Sequence, residues 1–137
     1  MIKRVICVII TLTLILFISA CGGNGENGDG GNGDLGYEMI TQEKAKELMD
    51  TQQGYIILDV RTEEEFSESR ISGAILIPYD EIEKRAETEL KDKSQLILVY
   101  CRSGRRSKIA SEALAKLGYT NVKEFGGIND WSYGTVS

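Results

Sequence analysis

Apolar residues fall along this chain in short runs, separated by segments in which they recur at helical spacing. The run Leu96-Ile97-Leu98-Val99-Tyr100 is branched and aromatic in character, shows no polar alternation and ends at Cys101, which predicts a strand buried on both faces of a sheet. Six residues rich in Arg, Ser and Gly follow, from Arg102 to Ser107. Ile109, Ala110, Ala113, Leu114 and Leu117 then repeat at helical spacing, so a helix is expected from Lys108 to Leu117, with Gly118 placed to end it. Strand, loop and helix in that order put the loop at the carboxyl end of an open sheet, with the helix N-terminus aimed into it.

The same reading extends over the rest of the domain. Tyr55 to Val60, Ala74 to Ile77 before Pro78, and Val122 to Phe125 are expected strands. Thr41 is placed to cap a helix whose inner face carries Ala45, Leu48 and Met49. Thr62 and Glu65 have the spacing of a capping box, and Asp80 with Glu83 resembles another helix start, with Ile82 and Ala86 inward. Alternating strands and helices imply an α/β fold with a mostly parallel sheet and helices on both faces. Residues Tyr37 to Ser137 amount to one small domain with one core, and there is no internal repeat.

The beginning of the chain follows different rules. Lys3 and Arg4 precede an apolar run from Val5 to Ala20, which as a helix spans about 24 Å against the roughly 30 Å of a bilayer core. A signal peptide over residues 1–20 fits that length better than a transmembrane anchor. The run closes with Ile18-Ser19-Ala20-Cys21, which resembles a bacterial lipoprotein signal in which the cysteine is lipidated and becomes the first mature residue. Two or more acyl chains hold a protein stably on a membrane. From Gly22 to Gly36 the chain is almost wholly Gly, Asn, Asp and Glu, and cannot offset its ordering entropy, so a flexible tether spanning about 20 to 23 Å is expected. The domain is thereby expected outside the cytoplasm, at the cell envelope, with the membrane as a partner through the lipid anchor.

Charge and cysteine content narrow the chemistry. The chain has 16 Lys+Arg against 21 Asp+Glu, and loss of Lys3 and Arg4 with the signal leaves 14 against 21. A net charge near −7 argues against nucleic acid as a partner. Against that acidic background the arginines after Cys101 stand out. Of the three cysteines, Cys7 leaves with the signal and Cys21 is the lipidation site, so Cys101 is the one thiol of the domain and no internal disulfide is available. With no histidine in the chain there is no Cys-His pair, no credible metal ligand set, and no cofactor is implied. A helix N-terminus supplies about 0.3 to 1 kcal/mol to an anion, too little to activate a thiol of ordinary pKa about 8.5 by itself. Arg102, Arg105 and Arg106, two of them facing the sulfur, are expected to lower it further and to bind an anionic substrate.

Cys101-Arg102-Ser103-Gly104-Arg105-Arg106-Ser107 resembles the active-site loop of the rhodanese-like sulfurtransferases. Leu58-Asp59-Val60-Arg61-Thr62 followed by Glu63-Glu64-Glu65-Phe66, then Ile71-Ser72-Gly73-Ala74-Ile75-Leu76-Ile77-Pro78, then Gly126-Gly127-Ile128 with Trp131, agree with that family in order and spacing, from about Met39 to Trp131. The resemblance implies a three-layer fold, a persulfide on Cys101, a small anionic sulfur donor gripped by the loop from Arg102 to Ser107, and a thiol or cyanide acceptor. Asp59 and Arg61, at the end of a strand on the same sheet edge, are implied as supporting residues, or else form a solvated ion pair there. Trp131 is expected to pack, and Glu63 to Glu65 to form a solvated helix start. Where many members have histidine this chain has Arg70. Two alternatives stay open: a cysteine phosphatase or arsenate reductase of the same fold, and a non-catalytic sulfur carrier or partner-binding module. Cysteine phosphatases place an arginine six residues after the cysteine, where this chain has Ser107.

Overall fold

A computed structural model describes residues 35–137. The expected signal peptide over 1–20, the lipidated Cys21 and all of the tether before Leu35 lie outside the described residues.

Among the described residues five strands form one sheet in which every pairing between strands is parallel: β1 (Glu38–Met39), β2 (Ile56–Asp59), β3 (Ile75–Leu76), β4 (Ile97–Cys101) and β5 (Val122–Gly127), in the spatial order β1-β5-β4-β2-β3. Four helices connect them: α1 (Gln42–Thr51), α2 (Glu63–Glu68), α3 (Ile82–Glu89) and α4 (Arg105–Lys116). The central strand β4 is buried at all five positions, as its unbroken apolar run requires. Its side chains alternate between two cores. Ile97, Val99 and Cys101 join Leu58, Val60, Ile82, Ala86, Ala110 and Leu114 on the face covered by α3 and α4. Leu98 and Tyr100 join Ala45, Ile57, Ile71, Phe125 and Trp131 on the opposite face, under α1 and the C-terminal segment. Trp131 packs, as expected, with its ring 5.6 Å from Phe125.

Local signals account for most boundaries. Thr41 accepts from the Lys44 amide at the start of α1, and Thr62 and Glu65 form a reciprocal capping box on α2. The helix α4 ends in a Schellman arrangement: Gly118 has φ +92°, and the Tyr119 and Gly118 amides bond the carbonyls of Leu114 and Ala115.

The strands β2 and β3 are one residue shorter at each end than expected, and three other boundaries depart further. The helix α4 begins three residues early, because its first turn is polar and carries no apolar periodicity. Asp80 does not cap α3; a 3-10 turn over Tyr79–Glu81, closed by the Glu81 amide on the Pro78 carbonyl, runs directly into the helix. Strand β5 extends to Gly127 through a bulge, since Val99 pairs with Glu124 but Cys101 with Gly127.

Candidate active site

Cys101 closes β4 with about 1% of its surface exposed. Beyond it the chain turns through Arg102 and Ser103 to Gly104, whose φ of +101° is open to glycine and strained for other residues, and enters α4 at once. That turn brings the Gly104 amide to 3.0 Å from the Cys101 Sγ and the Ser107 Oγ to 3.4 Å. Burial pushes the thiol's pKa up, and the Ser107 hydroxyl together with the amides of Ser107, Gly104 and Ser103 outweighs it, leaving the thiol below its ordinary value. The loop is therefore a cradle of N–H donors for a charged sulfur.

Arg106 does a different job from the one expected of it. Arg106 directs both terminal nitrogens at the Glu65 carboxylate, each at 2.8 Å, and Glu65 also accepts from the Thr62 amide in the capping box. This pairing holds the Glu65 carboxyl at about 2, with the Arg106 hydrogen bonds as the largest cause. The fork of Arg106 thus ties α4 to α2, and Glu65 is not the freely solvated acid its run suggests. Arg102 and Arg105 are exposed at the loop, free of ion pairs among the described residues. The Ser107 hydroxyl and the loop amides are the main groups that lower the Cys101 pKa.

Two functional positions carry no signal that composition alone would raise. Ser107 Oγ lies 2.6 Å from Glu124 Oε1, which also accepts from the Gly126 amide at 2.8 Å. Glu124 is only 3% exposed. Its parity with Val122 along β5 is the one clue that it points to the Cys101 face of the sheet. Gly127 supports the loop from beneath: a Cβ there would lie 2.2 Å from the Arg102 carbonyl oxygen and 2.6 Å from the Ser103 Cα, so only glycine admits the loop backbone. The Asn129 amide bonds the same Arg102 carbonyl at 3.2 Å.

Asp59 and Arg61 stand at the same sheet edge as Cys101 but on the other face, and they are not solvated. Asp59 is 0% and Arg61 4% exposed. The Arg61 Nη2 bonds Asp59 Oδ2 at 2.7 Å and the Ser69 carbonyl at 2.6 Å, while the Tyr100 hydroxyl donates to Asp59 Oδ2 at 2.7 Å and accepts from the Ile71 amide at 3.1 Å. This network staples the segment after α2 to β2 and β4. Arg70 belongs to that segment: its guanidinium lies over the Phe66 ring and bonds the Phe66 carbonyl, and its backbone pairs with Val136.

The Rhodanese-like domain family model matches residues 41–133. The chain belongs to the rhodanese-like domain family. Among curated relatives, Thiosulfate sulfurtransferase PspE of Escherichia coli is 41% identical over 73 residues, covering 53% of this chain and 70% of that protein. Adenylyltransferase and sulfurtransferase UBA4 of Meyerozyma guilliermondii is 36% identical over 85 residues, covering 56% of this chain but only 20% of that larger protein. Among solved structures, one described as rhodanese with anions from E. coli superposes with a TM-score of 0.57 at 37% identity, over 61% of this chain and 98% of that one.

Within this rhodanese-like domain a cleft of about 400 Å³ opens beside the cysteine loop, lined by Ser103, Gly104, Lys108, Glu124 and Gln42 among others. Gln42 crosses it to bond the Gly127 carbonyl at 2.7 Å and so fixes α1 to the end of β5. Among the described residues no group of three or more acidic or cysteine ligands could hold a metal ion. What the rhodanese-like loop offers chemically is a single polarised sulfur in a ring of donors, suited to carrying a small anionic group.

Proposed function

We propose that this chain is a sulfurtransferase that carries sulfane sulfur as a persulfide on Cys101. The observation that carries this reading is the cradle itself: a thiol held below its ordinary pKa by Ser107 and loop amides, in a loop with exposed Arg102 and Arg105. The Cys101 thiolate attacks the outer sulfur of thiosulfate or a related donor. A sulfur–sulfur bond to the enzyme forms, the donor's own sulfur–sulfur bond breaks, and sulfite leaves with the electron pair. A thiol or cyanide then attacks the outer sulfur of the persulfide, and Cys101 departs as thiolate. Arg102 and Arg105 hold the anionic end of the donor, and the loop amides stabilise the charge on the terminal sulfur. A phosphoryl group is a poorer fit, because the position six residues after Cys101 is the buried Ser107, engaged with Glu124, where a phosphate clamp needs a free guanidinium.

The location of this chemistry is a further part of the proposal. The apolar run closed by Ala20-Cys21 supports a lipid anchor on Cys21, with the domain held at the cell envelope outside the cytoplasm. Replacement of Cys21 by Ser moves the protein from the membrane to the soluble fraction; an unchanged distribution rejects the anchor.

The test of activity is incubation with thiosulfate and then cyanide, following intact mass and thiocyanate. The wild type gains one sulfur atom and releases thiocyanate, and Cys101→Ser does neither. A wild type that takes up no sulfur overturns the reading.

A further inference from the structure

Cys101 is about 1% exposed, so whatever takes sulfur from it has to be held at the mouth of the loop. The surface at that mouth differs in charge from the rest of the domain. Of the 14 Lys and Arg side chains after Arg4, eight are ion-paired with a carboxylate. Three of the six others, Arg102, Arg105 and Lys108, fall within seven positions on the cysteine loop and the first turn of α4, and all three are exposed. Of the remainder, Arg70 lies over the Phe66 ring, and Lys84 and Lys91 belong to α3 and the turn after it.

Arg105, Lys108 and Ile109 occupy positions i, i+3 and i+4 of the helix and so are neighbours on its surface, with Cβ atoms about 5 to 6 Å apart. Ile109 is 43% exposed, which sets an apolar group beside the cations. One turn further on, Glu112 is paired with Lys116 and the strip ends. Acids bound it on both flanks. On one side Arg106 is neutralised by Glu65 of α2, a helix that also carries Glu63, Glu64 and Glu68. On the other, Glu43 and Asp130 line the same cleft as Lys108 and are not paired with it.

This arrangement selects among anionic partners. A small anion such as thiosulfate is matched by the two guanidinium groups of the loop and leaves Lys108 and Ile109 unused. A broad anionic surface, such as a layer of lipid headgroups or a nucleic acid, meets the flanking acids as well and is repelled. A narrow acidic segment meets only the cations. Because the chain as a whole is acidic, such a segment is drawn to this strip and to the Cys101 loop beside it.

We propose that Arg102, Arg105, Lys108 and Ile109 form the docking surface for a protein acceptor, which presents its thiol on a short acidic segment with an apolar side chain set against Ile109. This names the acceptor class for the sulfurtransferase reading and rests on it. The acceptor thiolate attacks the outer sulfur of the Cys101 persulfide, a sulfur–sulfur bond to the acceptor forms, the one to the enzyme breaks, and Cys101 leaves as thiolate.

The experiment puts an electrophile in the acceptor's place and therefore needs no sulfur donor. The full chain with Cys7→Ser and Cys21→Ser keeps Cys101 as its one thiol. The probe is a short peptide with glutamates and one leucine around a bromoacetylated side chain, and its counterpart has glutamine for every glutamate. Cys101 Sγ attacks the bromine-bearing carbon, a sulfur–carbon bond forms and bromide leaves, and intact mass follows the adduct. Each rate is divided by that of iodoacetamide on the same chain. At low salt the acidic peptide reacts about tenfold faster than its counterpart, and high salt removes the difference. Lys108→Glu lowers that ratio by about threefold or more, whereas Lys91→Glu, the same charge change beyond α3, leaves it in place. Ile109→Ala slows both peptides by about threefold.

Equal rates for the two peptides, a ratio that Lys108→Glu leaves intact or that Lys91→Glu lowers equally, or peptides no slower on Ile109→Ala each overturn the proposal. Dextran sulfate overturns it if, at equal charge, it suppresses the acidic peptide's advantage more than a bromine-free copy of the peptide does, since the strip then serves a polyanion. A Cys101 inert to both peptides overturns it too, because the mouth then admits no macromolecule. Charge preference in a chain that takes up no sulfur from thiosulfate rejects the sulfurtransferase reading alone, and sulfur uptake without the preference rejects only the docking surface.

Discussion

Replacing Tyr100 by Phe removes one oxygen and leaves the ring in place against Phe125, 5.6 Å away. That oxygen serves two buried partners, donating to Asp59 at 2.7 Å and accepting from the Ile71 amide at 3.1 Å. The variant loses a hydrogen bond to a charged acceptor, worth about 1.5 to 3 kcal/mol, and leaves a buried amide unpaired at a further cost of about 1 to 3 kcal/mol. Because Arg61 still binds Asp59 through both Nε and Nη2, the carboxylate remains paired, and the lower part of the combined range, about 3 kcal/mol, is expected. In a domain of this size that lowers the melting midpoint by about 12 °C or more. Burial and the neighbouring Asp59 push the Tyr100 hydroxyl far above its ordinary pKa, so it remains a donor and the loss is flat across the neutral range. Thermal and urea denaturation of the two proteins measure it. Since Tyr100 and Cys101 face opposite sides of β4, sulfur loading at a temperature where both are folded is unchanged. A stability loss below about 1 kcal/mol refutes the argument that the network is fully desolvated. Loss of loading in a stable variant refutes the separation of the two faces.

Two further outcomes follow from the loop's supports. Glu65 has a folded pKa of about 2 against about 4.3 when unfolded, so its pairing with Arg106 stabilises above the higher value and fades as pH falls toward the lower; the stability gap between wild type and Arg106→Met, measured by urea denaturation, therefore closes between those pH values, and a gap that is constant with pH contradicts the pairing. Gly127→Ala sets a methyl against the Arg102 carbonyl, a backbone clash that no side-chain movement relieves, and a displacement of about 1 Å in the cysteine loop is expected to slow sulfur loading by about a hundredfold, as read by intact mass over time.

Much of this was open to inspection in the residues. The unbroken Leu96 to Tyr100 run could only be a strand covered on both sides, and the polar loop after it had to lie at the carboxyl end of a parallel sheet. Thr62 with Glu65, and Gly118, marked helix ends through local chemistry that needs no knowledge of the rest of the fold. Groups whose role depends on a distant partner were not legible. Arg106 reads as one of three equivalent cations until the fold brings Glu65 to it from α2, 41 positions away. Glu124 reads as an ordinary surface acid until pairing with β4 turns it inward. The first strand, Glu38–Met39, is too short to show a period and exists because β5 offers it an edge. Asp59 and Arg61 pointed to the correct edge of the sheet, but the pleat, which places Asp59 and Tyr100 on one side and Cys101 on the other, decides which face they serve.

The contact between Gly127 and the Arg102 carbonyl gives the loop a floor that belongs to a different strand. Reach and depth of the cysteine cup are therefore inherited from the sheet, not written into the loop alone. A chain that gained one residue between Cys101 and α4, to admit a bulkier anion, would have to lower that floor by re-pairing the end of β5 at the same time. Cargo size in this protein is accordingly a property two segments must change together, which makes the loop hard to repurpose by single insertions.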